Sequence, residues 1–445
     1  MKILPKWRVC ILGTTLCLTL TICSRNFGDR GGPSFMASLT VAGIAYLLAV
    51  REFFRGRGAR STPTFSRRVV IIGLVLAAVW HIEFLWLPPG ADDDIHRYVW
   101  DGRLQRLGYN PYIVIPSDPA AKGLHTPETQ NLNNPDLPSP YPPGAELFFR
   151  AVTAIQESIF AFKAAFAVCD FAIVFVLLDV LRYSEQGAHL VIAYAWNPLL
   201  AIEVAGSGHI DIVGVLLLVI SVAALARSWR AIAARTFGLA VAVKFLPIVL
   251  LPLYWKRIRI SDAALAAAVV VLLYVPFLNH GRIPIGSLGT YVQQFRFNGP
   301  VFALLDRLAP TPLLAGLAVL AGLATATWLK NAASESSPDA FAWPNGSISF
   351  VRTRRIPWYL LWLLPFLIWL LPFLTSASTL PIMVWTVSII PVYVQWHLRT
   401  LGHPWGALPG WAMVVEYGCV AIAGAIVAFR RIRRPAVQCS TSEIV

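Results

Sequence analysis

Nine apolar runs of a length suited to a membrane crossing dominate this chain: Val9 to Cys23, Phe35 to Val50, Val69 to Pro88, Phe160 to Leu181, Ile210 to Ala226, Ala263 to Leu278, Leu313 to Leu329, Pro357 to Leu374 and Trp411 to Phe429. A hydrocarbon layer about 30 Å thick is crossed by about 20 helical residues. In lipid every backbone N–H and C=O must find a partner within the segment, so unbroken runs fold as helices. The alternating pattern of a membrane β-barrel is missing. The expected fold is all-α, a polytopic transmembrane bundle of about 11–13 spans counting re-entrant half-helices, with a long outer loop.

Residues are 57% hydrophobic and only 13% charged. A net charge of +14 can signal nucleic-acid binding, but the Arg and Lys residues sit in short loops beside the runs. There they set orientation by the positive-inside rule, which excludes a nucleic-acid partner. Arg51, Arg55, Arg57, Arg60, Arg67 and Arg68 place the second loop in the cytoplasm. Arg227, Arg230, Arg235, Lys256, Arg257, Arg259 and the arginines at 430, 431, 433 and 434 do the same for later loops and the C-terminus. Both termini are then cytoplasmic, in a multi-pass protein of the inner membrane. The first run follows Lys2, Lys6 and Arg8 and lacks an A-x-A-like site, so it reads as a retained anchor helix. Six cysteines at 10, 17, 23, 169, 419 and 439 offer no pairing across an exposed loop, which predicts no disulfides and no thiol or zinc chemistry.

With this orientation residues 1–88 form three spans, and 89–145 is an acidic, proline-rich loop on the outer side. Residues 146–330 form the core bundle, 331–355 a polar connection, 356–434 the last spans and 435–445 a cytoplasmic tail. The loop opens with Asp92, Asp93 and Asp94 and carries nine prolines from Pro111 to Pro143, which forbid long helices in its second half. A short interfacial helix over Asp92 to Leu107 would put Asp94, Arg97, Tyr98 and Asp101 on one face. Three carboxylates at a low-dielectric edge repel one another, which suits a general base. The same aspartates suit a helix N-cap and an anionic first turn, and charge pattern alone does not choose between the two.

Asn197-Pro198 interrupts the next apolar stretch, and Glu203, His209 and Asp211 follow at a membrane boundary, where ionisable groups are functional candidates; Gly206 and Gly208 also suit a plain tight turn. Lys244 lies in Phe237 to Leu253, a stretch basic at both flanks and broken by Pro247 and Pro252. Two cytoplasmic flanks require entry and return through half-helices with Lys244 near the turn. There it either meets a phosphate or carboxylate or snorkels to the interface. An outer segment with His280, Arg282, Tyr291, Gln293, Gln294, Phe295, Arg296, Phe297 and Asn298 mixes aromatic faces with polar groups suited to a hydroxylated, charged ligand. Asp170 and Asp179 fall on opposite faces of one helix; Asp170 is assigned to interhelical hydrogen bonding and Asp179 to solvent.

Taken together, several segments resemble the GT-C superfamily of integral membrane glycosyltransferases, in particular its polyprenol-phosphate-mannose-using branch. They are Asp93-Asp94-Ile95-His96-Arg97-Tyr98-Val99-Trp100-Asp101-Gly102-Arg103, Gly108-Tyr109-Asn110-Pro111-Tyr112, Tyr141-Pro142-Pro143, Gly208-His209-Ile210-Asp211, Ala242-Val243-Lys244-Phe245-Leu246-Pro247, Phe295-Arg296-Phe297-Asn298 and Pro357-Trp358-Tyr359-Leu360-Leu361-Trp362. The resemblance implies inverting transfer of a hexose, mannose first, from a polyprenyl-phosphate donor to a glycan or glycolipid acceptor on the outer membrane face. It makes Asp93 or Asp94 the general base and Arg97, Lys244 and Arg296 the groups meeting the departing phosphate, with Tyr98, Trp100 and Tyr359 walling the sugar. Asp92, Asp101, Asn110, Tyr112, His209, Asp211, Gln294, Asn298 and Trp358 complete the substrate-binding candidates. No cofactor is required in this reading, with Mg or Mn the alternative at the acidic edge. Three spans precede the acidic loop where the family often has one, and Ile210 stands where Asn is usual.

A secondary transporter or lipid-linked sugar flippase would also show broken helices, an intramembrane Lys and basic loops. It would concentrate polar residues at the midplane, whereas here they gather in outer loops.

Overall fold

The structure is a computed structural model that describes residues 6–54, 67–90, 93–130, 132–281, 283–290, 311–332, 357–366, 379–403 and 408–432. Every regular element among them is helical. In chain order α1 is Lys6–Arg25, α2 Pro33–Phe54, α3 Arg67–Leu85, α4 Ile95–Arg106, α5 Pro143–Ile155, α6 Ile159–Tyr183, α7 Val191–Ala195 and α8 Asp211–Ala226. Then come α9 Arg230–Val243, α10 Leu251–Tyr254, α11 Ile260–Leu273, α12 Thr311–Ala332, α13 Thr379–Ser388, α14 Val394–Thr400 and α15 Gly410–Ile432. Six described helices are long and apolar enough to cross a membrane, a broken pair bent by 65° adds a seventh, and Asp211–Ala226 is a shorter apolar helix.

The longest span shows how the bundle is held. In α6 the buried residues Phe162, Phe166, Asp170, Ile173, Leu177 and Leu181 recur at three- and four-residue spacing, while Val168 and Phe175 on the other face are open. Hydrocarbon is as apolar as leucine, so packing and interhelical hydrogen bonds hold such helices together. Asp170 supplies the bonds: His81 Nε2 of α3 lies 2.9 Å from Oδ2, and the Tyr194 hydroxyl of α7 donates to Oδ1 at 2.5 Å. Trp196 Nε1 donates to the Gly73 carbonyl and the Tyr46 hydroxyl to the Ala193 carbonyl, both at 2.9 Å. The interhelical role read for Asp170 is the one it plays. Asp179, mostly exposed, pairs with Arg227 at 2.6 Å.

The Asn197-Pro198 break bends the chain, and Leu200–Gly206 continues as a π-helix. The extra residue per turn of a π-helix turns side chains off the regular helical register, a device found at functional sites. The chain reverses direction around Lys244. α9 ends at Val243 with Lys244 as its C-cap, a 3-10 turn over Leu246–Leu250 reverses the chain, and Tyr254 comes back beside Phe237, with ring centroids 4.3 Å apart. The Tyr254 hydroxyl also reaches Ser221 Oγ of α8 at 2.7 Å.

One end of the bundle collects the α1–α2 turn, the proline-rich loop, the start of α6 and the start of α8. Its ordering depends on side chains, because proline-rich backbone has no ladder to join. Arg97 donates to the Leu137 carbonyl, Arg103 to that of Leu124, Tyr112 to that of Tyr141 and Asn110 to that of Phe277, at 2.7–2.8 Å.

Candidate active site

Of the three aspartates that open the loop, the two described have different fates. Asp93 is buried, and Arg30 Nη2, from the α1–α2 turn, donates to both its oxygens at 3.0 and 2.9 Å; the Gly90 amide adds 2.7 Å to Oδ2. Asp94 stands at the N-cap position of α4, yet its side chain makes no capping bond. Its carboxylate is half-buried and accepts from Asn133 Nδ2 at 2.5 Å. Helix capping therefore does not account for Asp94, and the structure separates two residues that the sequence left equivalent.

Across from α4, Asp211 opens α8 and is fully buried. Lys244 Nζ donates to its Oδ2 at 2.8 Å and Trp362 Nε1 to its Oδ1 at 2.6 Å. The ammonium of Lys244, still partly open, lies 5.2 Å from the Tyr359 ring centroid, within cation–π range. Asp94 is close enough for its charge to act on Lys244, and Asp94 and Asp211 both act on the Tyr98 hydroxyl, which lies 3.4 Å from the Ile210 amide. Gly208 makes this approach possible. Its φ of +74° is strained for a residue with a side chain, and a Cβ there would lie 2.4 Å from Ile95 Cδ1. Trp358 belongs to the same 3-10 turn, Pro357–Trp362, as Tyr359.

His209 joins a neighbouring cluster instead. Its Nε2 lies 3.0 Å from Glu203 Oε2, and the Tyr393 hydroxyl donates to the other Glu203 oxygen. The remaining loop candidates face into the loop. Arg97 Nε bonds both oxygens of Asp101 at 3.1 and 3.2 Å, so its guanidinium is engaged before any phosphate arrives. Trp100 stacks on His125 with centroids 4.2 Å apart, in a small core with Leu104, Ala121 and Leu132, not against the Lys244 cluster. Asn110 and Tyr112 tie loop segments together. Asp92, Gln294, Arg296 and Asn298 lie outside the described residues.

Beneath Arg97, Asp101 and Glu146 are buried side by side; Ser139 Oγ donates to Glu146 Oε1, and Gln105 Nε2 to Oε2 at 2.8 Å. Burial, and next the Asp101 charge, push Glu146 well above the usual carboxylate range. Burial also raises Asp101, against the opposing pull of Arg97.

Two cations were not singled out from the sequence, Arg30 and Lys163. The Lys163 ammonium, fully buried in the first turns of α6, donates to the carbonyls of Phe84 and Leu87 at 2.9 and 2.6 Å. Both are basic residues at the acidic-loop end, against the charge rule that placed the others, and that was the available signal.

Residues 19–257, more than half of the chain, match the family described as alpha-(1->6)-mannopyranosyltransferase, N-terminal domain. The match includes Arg30, Asp93, Asp94, Lys163, Asp211 and Lys244. No curated protein matches the chain. Among solved structures, the crystal structure of ArnT from Cupriavidus metallidurans bound to undecaprenyl phosphate is similar, at 14% identity and a TM-score of 0.47, covering 82% of this chain and 77% of that one.

Proposed function

Because the chain belongs to the alpha-(1->6)-mannopyranosyltransferase family, we propose that it transfers mannose from a polyprenyl-phosphate carrier to a hydroxyl of a glycan or glycolipid, with inversion, at the outer face of the cytoplasmic membrane. The protein is a membrane glycosyltransferase; donor, acceptor and residue roles are the proposal. The observation that carries it is the pairing of a half-open carboxylate not used for capping, Asp94, with an ammonium aimed by a buried carboxylate, Lys244 on Asp211.

Asp94 takes the proton of the acceptor hydroxyl as its oxygen bonds to the anomeric carbon. The bond from that carbon to the phosphate oxygen breaks, and the carrier phosphate leaves with the electron pair. Lys244 neutralises the charge gathering on that phosphate, where a point charge in a partly dry site is worth far more than in water. Arg296 joins it by its place in the resemblance. Tyr359 flanks the sugar, while Tyr98, buried and stacked on Phe149, supports the site from within the core rather than walling the sugar. Asp211, with both oxygens engaged, acts on Lys244 rather than on substrate. Inversion to an α-linked product requires a β-linked donor.

The carboxylates of Asp93 and Asp211 are already met by Arg30, Lys244 and Trp362, which leaves them poor ligands for Mg or Mn; transfer without a divalent cation is therefore part of the proposal. Transfer from radiolabelled polyprenyl-phosphate mannose and glucose in proteoliposomes tests the reading. Mannose transfer lost in Asp94→Asn supports it, and a fully active Asp94→Asn overturns the assignment of the base.

A further inference from the structure

We propose that Arg30 is a positioning residue for Asp94: together with Lys163 it clamps the turn between α3 and α4 at both ends, and so fixes the direction in which Asp94 enters the site. The proposal rests on the reading of Asp94 as base given above.

At the near end of the turn, Lys163 bonds the carbonyls of Phe84 and Leu87 at the C-terminal end of α3, and the Phe84 carbonyl also accepts from the Leu87 amide at 3.2 Å. A cation at a helix C-terminus is also favoured by the helix dipole. At the far end, Nη2 of the Arg30 guanidinium donates to both oxygens of Asp93, while Nη1 donates to Ser207 Oγ at 2.5 Å. Its plane lies 4.7 Å from the Phe27 ring and 5.6 Å from the Trp396 ring, so it has little freedom to turn. Gly90 is shaped around it, because a Cβ there would stand 1.9 Å from Nη2.

Two buried cations, Arg30 and Lys163, are set against two buried carboxylates, Asp93 and Glu203, the latter held by Tyr393 and His209. Arg30 is engaged by Asp93 and Ser207 and Lys163 by two backbone carbonyls, which suits a scaffold rather than an anion-binding pocket. Asp94 is the next residue along from Asp93 and accepts one described bond, from the neutral Asn133 amide. Its backbone direction is thus inherited from Asp93. A misplacement of about 1 Å at a reacting group can cost about 100-fold in rate.

The test uses the full-length protein in proteoliposomes, with Arg30→Met, Arg30→Lys and Gly90→Ala, the last displacing Nη2 without removing a charge. Arg30→Met and Gly90→Ala are expected to lower kcat by about 100-fold with the donor KM unchanged, because Lys244 and Asp211 remain in place. Arg30→Lys keeps the charge, loses the fork and falls between. In the double variant Arg30→Met/Asp94→Asn the Arg30 change adds no further loss, whereas general destabilisation would add.

Amide exchange over residues 93–98, measured on the same samples, speeds up in Arg30→Met. If Arg30→Met does not fold, Arg30→Met/Asp93→Asn, which leaves no lone buried charge, carries the same measurements. Wild-type kcat in Arg30→Met and Gly90→Ala, or unchanged exchange, overturns the clamp. Faster exchange in a protein whose wild type transfers no mannose supports the clamp and sinks the functional reading instead.

Discussion

Neutralising Asp211 isolates the claim that this carboxylate aims Lys244. At 2.8 Å and an effective dielectric constant of about 20, the two charges attract by about 6 kcal/mol before the cost of drying them. Breaking a fully buried pair costs about 3–5 kcal/mol. The Lys244 side chain remains 17% exposed, so water takes back part of that, and we expect a coupling of about 2 kcal/mol. The assay is a double-mutant cycle, Asp211→Asn, Lys244→Met and both, followed by tryptophan fluorescence during SDS titration of mixed micelles. Asp211→Asn keeps an acceptor for Trp362 Nε1, so the cycle reports the ion pair. Asp211→Ala should cost about 1 kcal/mol more, the usual worth of the lost Trp362 bond. In transfer assays Asp211→Asn lowers kcat through a misplaced Lys244. A coupling below about 0.5 kcal/mol, the level at which independent sites add, would refute the argument.

Gly208→Ala forces a side chain into a left-handed conformation and against Ile95; about 1–2 kcal/mol for the backbone and 1–3 for the clash should appear as lost thermal stability in detergent. The raised Glu146 makes the loop a proton-binding element: its contribution to stability is full below the ordinary Glu value of about 4.3 and is lost as pH rises through the higher folded value. Glu146→Gln removes that fall, so melting curves of the wild type and the variant diverge with rising pH; parallel curves would contradict it. Chelation with EDTA should leave mannose transfer intact, and loss of activity restored by Mg or Mn would overturn the metal-free reading.

The membrane fold was legible because lipid leaves one solution for an unbroken apolar run, and α1, α2, α3, α6 and α11 follow the runs read from sequence. The turn at Lys244 was legible from charge, since two basic flanks cannot lie on opposite sides. The division of labour within the loop was not. Arg97, Trp100, Asn110 and Tyr112 have the chemistry of ligand contacts, but a segment with nine prolines must satisfy its carbonyls and fill its small core with side chains. The Arg30 pair was hidden by 63 residues of separation and by a charge rule that counts arginines without asking what each one meets. Periodicity placed a helix from Asp92, but α4 starts at Ile95 with Asp94 at its N-cap position, and only the neighbours of Asp93 set the two aspartates apart.

The most direct test of the account is mannose transfer by Asp94→Asn and Asp93→Asn, purified and shown to be folded, from the same polyprenyl-phosphate mannose. Asp94→Asn is expected to lose at least about 100-fold in kcat, the usual scale for removing a general base. Asp93→Asn loses part of its clamp but keeps a base and a measurable rate. Full activity in Asp94→Asn, or a dead Asp93→Asn beside an active Asp94→Asn, would contradict it.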